Sequence, residues 1–280
     1  MLPHGVGEGD IPGTADCSER PGDGTVAVSS SRFPREEASF VLDRRSPGPP
    51  TRTDDTGPRF EPVRKPGGGI RWLTRLDPAG EAEYRRAVRP LAGRIERALG
   101  PEAFAIRTRP AAEGPTLAPW APARAAWRRT LQRVLRAAPP GTAFAVADVR
   151  DCYGSISPDT ITSLLGPEAA HAVAFLRRLQ EHGVRGLPIG PEPSAVLANA
   201  VLGELDRAIR STGARHVRWV DDVVLWGERA DVRRALITLE NVTERMGLSL
   251  HDGKTRSLAD IREARAVALG EQDSSIIATP

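Results

Sequence analysis

The stretch Val217-Arg218-Trp219-Val220-Asp221-Asp222-Val223-Val224-Leu225-Trp226 constrains this chain more than any other. Two runs of β-branched and aromatic residues flank a pair of adjacent carboxylates, which reads as strand, tight turn, strand. Two like charges at a hairpin tip repel, and most hairpins turn on Asn-Gly or Asp-Gly instead. A divalent cation turns that repulsion into attraction, because hard cations take carboxylate oxygens. For Asp-Asp alone the competing reading is a solvated acidic turn, and the rest of the chain decides between the two.

The 280 residues suffice for one large or two modest domains, and 40% apolar content is adequate for a core. Net charge is only +3, but Arg far outnumbers Lys. That points weakly to a polyanionic partner, against the alternative of a mixed-charge surface. Two cysteines, Cys17 and Cys152, do not make a disulfide framework and fit a reducing compartment. No apolar run approaches the roughly 20 residues of a membrane span, and the N-terminus lacks the apolar core of a signal peptide. The expectation is a soluble cytoplasmic protein without membrane contact.

Residues 1–55 are rich in Gly, Pro, Ser, Asp and Arg, with one apolar cluster at Phe40-Val41-Leu42, and read as mostly disordered. Order is expected from Phe60, with two short strands around the glycines of Val63 to Leu73. Asp77 and Pro78 start a helix carrying Tyr84, Val88, Leu91, Ile95 and Leu99 at helical spacing. A second helix, Arg124 to Arg136, is covered by arginines. These either contact phosphates or form a solvated face.

From Ala143 the pattern sharpens. Phe144-Ala145-Val146-Ala147-Asp148-Val149 is a buried strand, followed by helices from Ser157-Pro158, Pro167 and Pro191. Then come the Asp221-Asp222 hairpin, a helix over Asp231–Met246 and a strand at Leu248-Ser249-Leu250. This order is the split βαβ, ferredoxin-like βαββαβ arrangement of an α+β fold. In it the first strand neighbours the hairpin, so Asp148 is expected beside Asp221 and Asp222. Such a trio can hold two Mg²⁺ ions about 3.5–4 Å apart and support in-line phosphoryl displacement. Neither Asp148 nor Asp221 should then pair with Arg. For Asp148 alone, the competing role is a strand-end cap.

At this point the chain resembles the reverse transcriptases. Asp148-Val149-Arg150-Asp151-Cys152-Tyr153-Gly154-Ser155-Ile156 is similar to the family's first palm motif. Gly186-Leu187-Pro188-Ile189-Gly190-Pro191-Glu192-Pro193-Ser194, with Leu197-Ala198-Asn199, is similar to the second. Trp219-Val220-Asp221-Asp222 resembles the third, with Trp where Tyr or Phe is commoner, and Gly247-Leu248 through Lys254-Thr255 the fourth. Lys65-Pro66, the glycines and Arg71 resemble the fingers motif. The wording Leu-Pro-Ile-Gly-Pro looks closest to bacterial reverse transcriptases of abortive infection and antiviral defence.

The resemblance implies fingers over 56–142, a palm over 143–258, and a short C-terminal helix and tail over 259–280. It implies an RNA-directed DNA polymerase, a nucleotidyltransferase using two Mg²⁺ ions, or Mn²⁺, with dNTPs, an RNA template and a DNA or RNA primer. Asp148 and Asp221 would be the main metal ligands, Asp222 would support them, and Val149 would offer its backbone carbonyl. Lys254 would lie near the leaving pyrophosphate. Lys65 and Arg71 would clamp the incoming triphosphate, Tyr153 would gate against a 2′-OH, and Gly190 would admit a close approach of template and nucleotide. Ser194 and Asn199 would line the same region. Each of these residues also has a plainer reading, as core, cap or surface turn.

The chain departs from the family in places. After Thr255 only 280 − 255 = 25 residues follow, too few for a helical thumb, so the thumb is expected to be absent or minimal. A protein partner or self-assembly would then supply the grip on the primer. Cys152 replaces a commoner Phe. Two other readings stay open: untemplated or protein-primed DNA synthesis on the same site, and a non-catalytic nucleic-acid-binding scaffold.

Overall fold

The computed structural model describes residues 57–65, 69–111 and 114–269, and the segment 1–55 with its Phe40-Val41-Leu42 cluster lies outside them. Strands β1 (Arg59–Arg64) and β2 (Ile70–Arg75) pair antiparallel. Helix α1 (Pro78–Ala98) starts where the Asp77 carboxylate accepts the Gly80 N–H at 2.7 Å, with Pro78 at its first position. Its buried stripe is Tyr84, Val88, Leu91, Ala92 and Ile95, while Leu99 falls just past the end as the C-cap. After the two-residue strands β3 (Thr108–Arg109) and β4 (Thr116–Leu117) comes α2 (Trp120–Ala137). It begins four residues before the sequence-based expectation.

The remaining elements are β5 (Ala143–Asp148), α3 (Cys152–Ser155), α4 (Pro158–Leu165), a 3₁₀ turn (Gly166–Ala169), α5 (Ala170–Glu181) and α6 (Glu192–Arg210). Then follow β6 (Arg215–Trp219), β7 (Asp222–Gly227), α7 (Arg229–Arg245), β8 (Arg256–Leu258) and α8 (Ile261–Leu269). Among the described residues no helix is long and apolar enough to cross a membrane.

Four strands form one antiparallel sheet in the order β6-β7-β5-β8. That is the βαββαβ order expected, with β7 inserted between β5 and β6. The last strand is displaced. Leu248-Ser249-Leu250 contributes only a bridge, Val149 to Leu250, and the strand proper is β8. The reason is the turn between them: the N–H groups of Lys254 and Thr255 both donate to the His251 carbonyl, at 3.0 and 2.8 Å, and this folds the chain out of the ladder.

Strand alternation sorts the side chains to two faces. Ala145, Ala147, Val223 and Leu225 pack with α6 and α7 residues such as Val201, Leu205 and Leu239. Phe144, Val217, Trp219, Val224 and Leu258 pack with Trp127, Leu131 and Leu135 of α2 and Ala264, Ala268 and Leu269 of α8. The sheet is thus covered on both faces. Tyr84 and Leu91 of α1 belong to the same core as Leu197 and Val201 of α6, so packing is continuous across residues 142 and 143.

Candidate functional site

β5 ends at Asp148, which pairs in register with Asp222, the first residue of β7. By alternation both lie on the α2 side of the sheet, in line with Val146 and Val224. Trp219 also pairs with Asp222, leaving Val220-Asp221 as a two-residue turn. Val220 has φ +56, a left-handed conformation that a β-branched residue adopts at a cost of about 1–3 kcal/mol.

A buried network holds that turn. Arg218 is fully buried, and its Nη1 donates to the Val220 carbonyl at 2.8 Å and to Asn199 Oδ1 at 3.0 Å. Its Nε and Nη2 grip the Asp206 carboxylate at 2.7–3.0 Å. His216 Nε2 lies 3.1 Å from Asp206 Oδ1. Burial would raise the Asp206 carboxyl, but the His216 bond and the Arg218 charge and bonds together hold it below the usual range.

At the other end of the turn the Lys254 ammonium pairs with Asp148 and lies within the charge influence of Asp221 and Asp222. Asp148 is 7% exposed, and its Oδ2 accepts from Lys254 Nζ at 2.8 Å. Its N–H donates to Thr255 Oγ1 at 3.2 Å, and its carbonyl accepts from the His251 N–H at 2.8 Å. Burial, then the charge of Asp148, raises the pKa of Asp221, opposed by its own backbone, Arg71 and Lys254. The Asp222 carboxyl is pushed up to about 7, by withdrawal from water first and then by Asp221 and Asp148, with which it shares a hydrogen bond. The residue as a whole stays exposed, so water tempers that shift. Partial burial works against the Lys254 charge, but its bond to Asp148 and the three carboxylates hold its pKa above the ordinary value. Among the described residues neither Asp148 nor Asp221 forms an ion pair with an arginine.

Val149 is flanked by two backbone bonds, Arg150 N–H to Ser249 and His251 N–H to Asp148, both 2.8 Å. Antiparallel geometry then directs its own N–H and C=O to the other side, toward the hairpin. Tyr153 lies near Asp221 and Arg71. Burial, with Cys152, Asp221 and Tyr84, raises its phenol pKa, and Arg71 lowers it. Arg71 itself is exposed on β2, its charge reaching both Asp221 and Tyr153. Lys65 is exposed just past β1, where its N–H donates to the Gly69 carbonyl at 3.1 Å.

Three of the expected site residues have partners within the fold. Ser194 is fully buried, its hydroxyl 3.1 Å from that of Tyr84, whose ring stacks on Phe175. Asn199 is 1% exposed, and its amide donates to the carbonyls of Ala105 and Ile106 while accepting from Arg218. Both residues point inward from α6. Gly190, at φ +125, spares a close approach to β2: a Cβ there would lie 3.1 Å from the Thr74 carbonyl. The Thr74 N–H donates to the neighbouring Ile189 carbonyl at 2.7 Å. The glycine therefore docks the ribbon that carries Arg71.

Sequence reasoning missed Arg218, Asp206 and Gly186. An Arg inside an apolar strand, with an Asp on the inward side of the preceding helix, was the available signal. Gly186 has φ +59, and a Cβ there would fall 2.4 Å from the Tyr153 carbonyl. Next to it the Leu187 N–H donates to that carbonyl at 2.8 Å.

The donor set at the hairpin consists of oxygens, from three mutually repelling carboxylates and the Val149 carbonyl, which suits a hard divalent cation. Asp148, Asp221, Asp222 and Val149 would hold it. Among the described residues the cluster whose three ligand atoms all lie within 4.8 Å of one another is a different one, Glu102, Asp206 and His216. Its spacing could admit a metal, but Arg218 already fills the Asp206 carboxylate and Arg210 pairs with Glu102. We read it as an ion-pair network.

No protein-family model matches the chain, and no curated protein does. Among solved structures it is similar to apo telomerase from Candida tropicalis truncated from its C-terminal domain. That match has a TM-score of 0.45 and 11% identity, over 72% of this chain and 50% of the other. Telomerase from Candida albicans in complex with a fragment of telomeric RNA gives 0.46 and 11%, over 73% and 43%. The corresponding Candida tropicalis complex gives 0.46 and 10%, over 75% and 42%. The chain spans half or less of the length of these proteins, and such identities transfer no residue's role.

Proposed function

We propose that this chain is a nucleotidyltransferase, an RNA-directed DNA polymerase whose reacting groups meet at the Asp148, Asp221 and Asp222 carboxylates. The observation that carries the reading is the register pair Asp148–Asp222 with Asp221 in the turn beside it and Lys254 paired to Asp148. A primer 3′-hydroxyl would give up its proton to water and attack the α-phosphorus of a dNTP, forming the new P–O bond as the bond to pyrophosphate breaks. Bound Mg²⁺ would supply Lewis-acid stabilisation of the attacking and leaving oxygens. Arg71 would meet the triphosphate, and Lys254 would give a proton to the departing pyrophosphate. Tyr153, against Asp221 and Arg71, is the candidate sugar gate. The Leu187-Pro188-Ile189-Gly190-Pro191 wording carries the further reading of a role in bacterial antiviral defence.

The test is incubation of the purified chain with Mg²⁺, dNTPs and primed RNA, sizing labelled product before and after RNase and protease. The expected result is Mg²⁺-dependent extension that Asp221→Asn abolishes without lowering the melting temperature. A folded Asp221→Asn protein with full activity would end the reading. The Lys254–Asp148 ion pair favours a second reading, a non-catalytic scaffold in which that lysine merely neutralises a strand-end carboxylate. On that reading no template, primer or added partner yields product.

A further inference from the structure

The register of the sheet lines up the groups of the carboxylate site. Trp219 pairs with Asp222, and Asp222 with Asp148, across β6, β7 and β5. Directly paired residues project to one face, so all three lie on the α2 side, where Trp219 packs with Trp127. Neighbouring strands are about 4.8 Å apart, which puts Trp219 and Asp148 about 10 Å from each other. Past Asp148 the row continues to Lys254, which precedes β8 on the far side of β5 and holds its Nζ 2.8 Å from Asp148 Oδ2.

The Trp219 end of the row carries a second cation. The Arg124 guanidinium lies 4.2 Å from the Trp127 ring centroid and 4.8 Å from that of Trp219. Among the described residues it forms no ion pair. Two π faces hold the cation in place but offer no lone pair to its five N–H donors. Its pKa is lowered by burial first and raised by the charge of Asp222, so cation and carboxylate are near enough to interact. Trp219 itself is 7% exposed, whereas Trp120, edge-on to it with ring centroids 5.6 Å apart, is 48% exposed and Arg124 is half-buried. This end of the row thus meets solvent through Trp120 and Arg124.

An in-line displacement has a direction, because the attacking and leaving oxygens stand on opposite sides of the phosphorus. With the leaving pyrophosphate at Lys254, the attacking hydroxyl comes from the Trp219 end. We propose that Arg124 is a primer-binding residue, which holds the phosphodiester of the primer's last linkage while the 3′-hydroxyl lies at the Asp148–Asp222 pair. The direction rests on the function proposed above, whereas the phosphate contact can be read by binding alone. A guanidinium fork matches two oxygens of one phosphate, and a fork already fixed between two indoles loses little freedom in doing so. Trp120 supplies aromatic surface beside it for the terminal base.

The test is a double cycle between this residue and that phosphate, read by fluorescence anisotropy without dNTPs. The probe is a DNA primer annealed to a dye-labelled RNA template. Its linkages are all natural, or carry a neutral methylphosphonate at the last primer linkage or well upstream. The proteins are wild type, Arg124→Gln and Arg124→Lys, each checked by thermal melting. Neutralising the last linkage should weaken wild-type binding about 10- to 100-fold, and Arg124→Gln should weaken binding of the natural primer about as much. Made together, the two changes should cost no more than either alone, because they remove one contact. Arg124→Lys, which keeps the charge without the fork, should recover part of the affinity. The upstream methylphosphonate should act equally on all three proteins. In extension assays Arg124→Gln should raise KM for primed template about 10- to 100-fold and leave KM for dNTP unchanged. Costs that simply add, coupling to the upstream linkage instead, a raised KM for dNTP, or wild type that binds no primed template overturns the inference. Coupling at the last linkage in a chain that makes no product upholds the phosphate contact and ends the catalytic reading alone.

Discussion

Replacing Arg218 with Met tests the physical basis of the hairpin. Arg218 and Asp206 are 0% and 1% exposed, so the substitution strands a carboxylate in the core. Breaking one side of a buried pair costs about 3–5 kcal/mol. The Val220 carbonyl and Asn199 Oδ1 also lose a donor, at about 1–3 kcal/mol each. The expected loss of about 5–10 kcal/mol rivals the whole stability of a typical domain. Removing both charges, Arg218→Met with Asp206→Leu, should recover the roughly 3–5 kcal/mol of the stranded carboxylate, while the Val220 carbonyl and Asn199 Oδ1 still lack their donor. The double variant should be more stable than Arg218→Met yet lack the bond that holds Val220 at positive φ, so nucleotide incorporation should still fall. The assay is urea unfolding by circular dichroism at constant m-value, with incorporation measured on the same preparations. If Arg218→Met alone costs under about 1 kcal/mol, the reasoning is refuted, because the pair would then be exchanging with water.

Further outcomes follow from the site and its supports. The Asp222 carboxyl, raised toward about 7 in the fold from an ordinary value near 4, binds more protons folded than unfolded between those values. It therefore lowers stability as pH rises through that window, and Asp222→Asn should raise the melting temperature at pH 7.5 but not at pH 3.5. An equal effect at both would show that charge repulsion is not the cause. Tyr153→Val should narrow the preference for dNTP over rNTP, read as the ratio of incorporation efficiencies, and an unchanged ratio would assign Tyr153 to the core alone. Gly186→Ala should destabilise by at least about 1–3 kcal/mol in urea melts, since its Cβ would meet the Tyr153 carbonyl at 2.4 Å. A neutral result would mean that the 186–190 loop is not anchored to the Asp148–Tyr153 segment as it stands.

What could be read from the chain followed from local rules. Period-2 and period-3.6 apolar patterns marked the strands and long helices, and Asp77-Pro78 and Ser157-Pro158 marked helix starts, because caps and periodicity depend on neighbours a few residues away. Strand order then put Asp148 beside the Asp221-Asp222 hairpin. What could not be read depended on partners far along the chain. The same pattern left two sides for Ser194 and Asn199, and only the packing of α1 and β6 on α6 turned them inward, to Tyr84 and Arg218. Gly190 carried its freedom in the sequence but not its neighbour, which is Thr74 of a distant strand. The displaced last strand arose in the same way, since whether residues 248–250 or 256–258 pair with β5 turns on the His251 turn. The sequence by itself thus determined which residues carry charge and which elements form. Tertiary structure alone decided which charges pair: Arg218 is matched to Asp206 across twelve residues, while among the described residues the arginines of α2 form no ion pair. Burial and pairing are properties of surfaces in contact, and no local pattern contains them.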